Sequence, residues 1–346
     1  MTGEQISNDT LADHEELFTH HRCSTSRASI VQDIQAKQYD RARKRLKRLY
    51  EKCFGITHAE WKFLDGLAAV RVPSLAPTFL SRSDGNSRES IGMNLLKGHG
   101  PIRDFYGANT DRLHEAGLLR YPRVCGAERR RILNKPFFVL TPEATDCIDK
   151  GVVGPNVGDL GESVVHALGV QLYSMYMRIR AVRETGKSAT AEHYTDIVLD
   201  DYDLDVAIFV YPSGESHKKE LYAVGEVKTA LSAENEAITA MHKMGGVRCN
   251  HKHWIAPKRD LLNKIVNIAA IREWYSLDEV PETLALETNS NSGIRSTNER
   301  LTESEFCPNV PGSPLSTPLT EVHSYTMLHR NIKSHYPLLF DPPDVF

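Results

Sequence analysis

Apolar residues recur along this chain with two different rhythms, and the change from one to the other sets the expected elements. From Ala28 to Cys53, Ile30, Val31, Ile34, Tyr39, Leu46, Leu49 and Tyr50 fall at helical spacing, and Arg41, Arg43, Lys44, Arg45, Lys47 and Arg48 crowd the second half. Thr57 caps a helix predicted over His58 to about Val70, where Glu60 can close a capping box and Trp61, Leu64 and Leu67 share one face. Gly and Ser then interrupt. A helical reading returns beyond Ser90 with Ile91, Met93, Leu95 and Leu96, and another helix is predicted from about Thr110 to Ala116, stopped by Gly117.

Gly151, Gly154 and Pro155 mark a boundary, after which Val164, Val165, Leu168, Val170, Leu172, Tyr173 and Tyr176 are dense enough for a well-buried helix. The rhythm then changes to two. Asp205 to Tyr211 and Glu220 to Lys228 read as the strands of a hairpin joined by Pro212 to Ser216. An amphipathic helix (Ser232 to Met244), a short strand (His253 to Ala256) and a third helix (Lys258 to Trp274) complete this part. The stretch from Glu287 to Pro318 is too rich in Asn, Ser, Thr, Glu and Pro to bury much apolar surface, and apolar residues return from Tyr325 to Phe340. The expected organisation is a mobile arm (1–27), a mainly helical domain (28–150), an α/β domain (155–280), a disordered linker (284–320) and a C-terminal tail (321–346).

The composition, 40% hydrophobic and 25% charged over 346 residues, excludes fibrous and wholly disordered classes. A net charge of −3 leaves any attraction to phosphate to local patches. Six scattered cysteines without a CxxC pair suit reduced thiols. Met1 to Asp13 is polar and acidic, and no run approaches bilayer length, so a cytoplasmic protein without membrane contact is expected.

The hairpin carries the candidate chemistry. Its period of two places Val224, Glu226 and Lys228 on one face, with Ala223, Gly225 and Val227 on the other, and the first strand opens on Asp205. Two carboxylates and an amine so arranged offer a hard divalent cation oxygen ligands beside an ammonium. Upstream, Glu162 leads the buried helix, whereas Asp201 and Asp203 read as solvated acids beside Asp205. The run Cys249-Asn250-His251-Lys252-His253 looks like a metal cluster but lacks a second ligand pair at finger spacing.

Over Gly158 to about Trp274 this order of elements and residues resembles the PD-(D/E)XK nuclease superfamily, a restriction endonuclease-like core in which a small mixed sheet is flanked by helices. The resemblance implies that Asp205 is the first metal-binding acid, that Glu226-Val227-Lys228 is the E-x-K tripeptide, and that Glu162 is the helical acid of many members. Leu204 stands where the superfamily's proline would be. It further implies Mg²⁺, with Mn²⁺ able to substitute, held by Asp205, Glu226, the Val227 carbonyl and Glu162, while Lys228 orients or helps deprotonate the attacking water.

In the preceding domain, Leu113 to Tyr121 followed by Phe137 to Ala144 resembles a winged helix-turn-helix, with Asn109, Thr110 and Arg112 as groove-facing candidates. Arg123, Arg129, Arg130 and Arg131 lie in the loop where a wing would meet the phosphate backbone. That architecture is similar to Mrr-like restriction endonucleases by analogy alone. The expected function is a metal-dependent DNA endonuclease, and since many such enzymes dimerise to cut both strands, a homodimer is part of the expectation. The alternative is a DNA-binding regulator whose nuclease fold is inactive.

Overall fold

The computed structural model describes residues 14, 24–70, 78–84, 87–93, 95–148, 163–196, 203–231, 233–276 and 292–336, which form a mixed α/β protein divided into two compact units. The first holds residues up to 122 and 128–164, and the second holds 123–127 and everything from 165 onward. The Arg123 segment therefore groups with the second unit and not with its neighbours in sequence.

In the first unit, the helix expected from Ala28 to Cys53 is two helices, α1 (Ser24–Gln35) and α2 (Tyr39–Phe54). The break falls at Lys37, whose φ of 57° no continuing helix tolerates. Most cations named on α2 are engaged within the unit. Arg45 pairs with Asp33 at 2.6 Å, Arg43 reaches Asp40 and the Asp146 carbonyl, and Lys47 lies over the Trp61 ring. Lys44 and Arg48 remain exposed. Of the arm expected over 1–27, His14 is buried, with its ring nitrogens 3.0 Å from Tyr50 Oη and 3.3 Å from Asp146 Oδ2, and 24–27 belong to α1.

Helix α3 (His58–Val70) starts as the sequence predicts: the Thr57 N–H donates to Glu60 Oε2 at 2.7 Å and the Glu60 N–H to Thr57 Oγ1 at 3.3 Å. The helical reading beyond Ser90 fails. There β1 (Thr78–Asp84) and β2 (Ser87–Met93) pair antiparallel, followed by a single 3₁₀ turn at Leu95–Lys97. Ser90-Ile91-Gly92-Met93 alternates with period two, and Asp84-Gly85 is a hairpin signal that outweighs a helical run of only a few residues. Helices α4 (Gly100–Tyr106) and α5 (Thr110–Glu115) follow, then β3 (Leu119–Arg120) pairs with β4 (Val139–Leu140), and α6 (Pro142–Cys147) closes the unit. Gly117 takes φ 70° after α5, as a helix stop requires.

The second unit is built on one five-stranded sheet. Helix α7 (Val164–Thr185) leads into β5 (Ser188–Asp196), β6 (Asp203–Tyr211) and β7 (Glu220–Val227); α8 (Glu234–Gly246), β8 (His251–Ala256) and α9 (Arg259–Ile271) come next. After α10 (Ser292–Glu303), β9 (Glu321–Ser324) joins the sheet and α11 (Tyr325–His335) ends the described chain. The strand order is β9-β8-β7-β6-β5, parallel between β7, β8 and β9 and antiparallel between β5, β6 and β7.

Each sheet face is covered by different residues. Val224 and Ala207 pack with Met241, Ile265 and Trp274 in one apolar core. On the other face α7 lies close enough that Tyr173 sits over Gly225 and Tyr325 over Gly169, neither of which has room for a Cβ.

The region expected as a disordered linker departs from expectation: 292–303 is helical, Ile294, Leu301 and Leu319 are buried, and 277–291 lie outside the described residues. Polar composition misleads here because hydrogen bonds to an existing core order the segment. The Asn298 side chain exchanges two bonds with Val322, at 2.8 and 3.1 Å, and so imitates a further strand at the sheet edge. The Tyr275 hydroxyl both donates to and accepts from the Leu319 backbone, and the Trp254 indole donates to the Pro318 carbonyl. The expected tail supplies an edge strand, and Tyr325 donates to the Val165 carbonyl at 2.8 Å.

Candidate functional site

Strand pairing brings the hairpin acids together. Val206 is paired with Gly225, so the next rung of the antiparallel ladder sets Asp205 against Glu226 on the face that also carries Val224. Asp205 Oδ2 accepts the Val227 N–H at 2.6 Å and lies 3.1 Å from His166 Nε2 in the first turns of α7. Lys228 Nζ is 2.9 Å from Glu226 Oε1, and both side chains are more than four-fifths buried. Asp205, Glu226, Lys228 and the Val227 backbone thus converge at the ends of two neighbouring strands. Glu162 lies outside the described residues, and so does Asp201; Asp203 pairs through its backbone with Asp196 on β5.

Sequence reading missed His166, although a signal was available: it falls four residues, about one helical turn, after Glu162. Glu236 on α8 is a second addition, because its charge helps hold the Lys228 proton.

The electrostatics disfavour a charge on Glu226. Burial, together with the Asp205 charge, pushes Glu226 up to about 7 despite the opposing pull of Lys228. Burial pulls Lys228 down, but Glu226 beside it outweighs that and leaves its ammonium above the ordinary lysine range. A divalent ion would replace the proton on Glu226, so the donor set fits the hard, oxygen-ligated metal that the sequence suggested.

The sign of the stability effect follows. A buried carboxyl with a raised pKa stabilises the fold fully below the unfolded value, and that contribution is lost as pH rises towards 7, by on the order of 3 kcal/mol. Glu226→Gln is therefore expected to raise Tm in EDTA at pH 8.5 while changing it little at pH 5. Equal Tm differences at both pH values would show that Glu226 is not strained in this way.

The groove candidates are occupied otherwise. Asn109 caps α5, its Oδ1 accepting from the Asp111 and Arg112 N–H groups at 3.1 Å. The Arg112 guanidinium donates to the Gly55 carbonyl at 3.1 Å and pairs with Glu60 at 3.4 Å, at the start of α3. Both candidate side chains therefore have partners within the first unit. Thr110 is half-buried. Arg123, Arg129, Arg130 and Arg131 are exposed, with Arg130 stacked 5.0 Å over Tyr121.

Among the described residues the cysteines 53, 125, 147, 249 and 307 are free thiols, and no helix is long and apolar enough to cross a membrane. Compared with protein-family models, with curated proteins and with solved structures, the chain gives no match.

Proposed function

We propose that the second unit is a restriction endonuclease-like core of the PD-(D/E)XK type and that the protein is a metal-dependent DNA endonuclease. The observation that carries this reading is the antiparallel register of Val206 with Gly225, which sets Asp205 opposite Glu226, with Lys228 at 2.9 Å from Glu226 and the Glu226 carboxyl raised by burial and by Asp205. Support also comes from connectivity: one helix, three antiparallel strands, a helix and a parallel strand run in the order that such a core requires, and β9 extends it.

Asp205 and Glu226 would hold Mg²⁺ with the Val227 carbonyl, and a bound ion there supplies a polarised scissile phosphate and an acidified water. The Val227 N–H fixes Asp205 Oδ2, and His166 Nε2 lies 3.1 Å from the same oxygen. Lys228 keeps its proton near neutrality, which favours orienting water and offsetting phosphorane charge over taking up a proton. Cleavage of duplex, single-stranded and branched DNA and of RNA, each with Mg²⁺ and with EDTA, tests the assignment. Metal-dependent scission of DNA is expected; specific DNA binding without scission under Mg²⁺ or Mn²⁺ would instead leave a regulator with an inactive fold.

The exposed arginines 129, 130 and 131 would contact phosphate, as in a wing. Replacing all three by alanine is expected to weaken binding to every sequence alike and to flatten the salt dependence by about one for each lost contact. Fluorescence anisotropy over a salt series measures it, and an unchanged slope would remove these residues from the interface.

A further inference from the structure

The face of the sheet opposite Glu226 carries a second group of ligand-type side chains. Two-residue spacing puts His251 and His253 on one side of β8, and the parallel register sets His253 beside Gly225 on β7 and beside Glu321 on β9. Donor atoms of His251, His253 and Glu321 all lie within 4.8 Å of one another.

The hydrogen-bond network fixes what His253 presents. The Tyr173 hydroxyl donates to the Val224 carbonyl at 2.9 Å, so its oxygen accepts from His253 Nδ1 at 3.1 Å. The proton is then on Nδ1 and Nε2 carries a lone pair. That Nε2 is fully buried, has no hydrogen-bond partner, and lies 3.9 Å from Glu321 Oε1. Two acceptors face each other across a gap too long for a hydrogen bond but within the span of two metal bonds of about 2.1 Å.

Arg180 donates to both oxygens of Glu321, at 2.7 and 2.8 Å, and so orients the carboxylate, whose Oε2 also lies 3.4 Å from His323 Nε2. Half-buried His251, at the start of β8, gives an entry path.

We propose that His251, His253 and Glu321 bind one borderline divalent transition ion of the Zn²⁺ class, at a site separate from Asp205 and Glu226. Two imidazoles and a carboxylate with a position left open suit such an ion, whereas Mg²⁺ prefers an all-oxygen shell. The ion ties β9 to β8 under α7, and the inference does not depend on the nuclease reading.

Chelator-stripped full-length protein titrated with Zn²⁺ against an indicator tests this, with Co²⁺ absorption as a spectroscopic readout and Tm as a third. One equivalent that survives Glu226→Gln should bind and raise Tm. His251→Ala and Glu321→Gln should each weaken binding at least about tenfold, while Glu226→Gln should retain it. Because Glu321→Gln also loses the Arg180 pair and could unfold β9, His251→Ala carries the test alone if needed. No stoichiometric binding, wild-type affinity in His251→Ala, or loss of the equivalent in Glu226→Gln would overturn the proposal.

Discussion

Asp205→Asn should leave the protein folded and reduce Mg²⁺-dependent cleavage by roughly a thousandfold, the scale of losing one group that stabilises transition-state charge. The substitution changes almost nothing in shape. An amide oxygen can still accept the Val227 N–H that Oδ2 now accepts at 2.6 Å, so the end of β6 keeps its place against β7. What disappears is the negative charge that, with Glu226, would hold a divalent cation. Without that charge Glu226 is relieved of one cause of its raised pKa, so Asp205→Asn should also bring the Glu226 carboxyl down towards its ordinary range. Plasmid nicking kinetics measured beside an unchanged thermal melt would establish the effect. Wild-type cleavage by the variant would place the chemistry somewhere other than this pair of strands.

Gly225→Ala is expected to destabilise the second unit by about 3 kcal/mol, at the upper end of the range for overpacking. A Cβ on Gly225 would lie 2.6 Å from Tyr173 Cδ1 and 2.8 Å from Cζ, inside any real contact distance. The ring has little freedom to retreat, since it is fully buried and its hydroxyl is held by Val224 and His253. Combining Gly225→Ala with Tyr173→Leu, which removes the ring edge, should cost less than the sum of the two single changes. Urea denaturation of the four proteins gives the coupling. Additive costs, or a Gly225→Ala protein as stable as wild type, would contradict the close approach of α7 to the sheet.

Part of each unit is legible in the sequence because its information is local. Alternation from Glu220 to Lys228 fixes which side chains share a face, the Thr57 and Glu60 pair fixes a helix start, and Gly117 fixes a helix stop. The Asp205 and Glu226 rung follows from two such runs and a short turn. Other features were not legible for a common reason. The hairpin strands 78–84 and 87–93 compete with a helical reading of the same few apolar residues, and the groove-facing candidates Asn109 and Arg112 make a helix cap and a pair with Glu60, 52 residues before Arg112.

The sequence by itself determined the hairpin, the parity of its acids and lysine, and the helices with strong caps, since each depends on neighbours a few positions apart. Only the tertiary structure decided that His166 meets Asp205, that a polar stretch is held by Asn298 and Tyr275, and that Glu321 comes to lie beside His253. Those outcomes depend on which distant strand or helix fills the remaining edge and face of the sheet, and no local periodicity records that register.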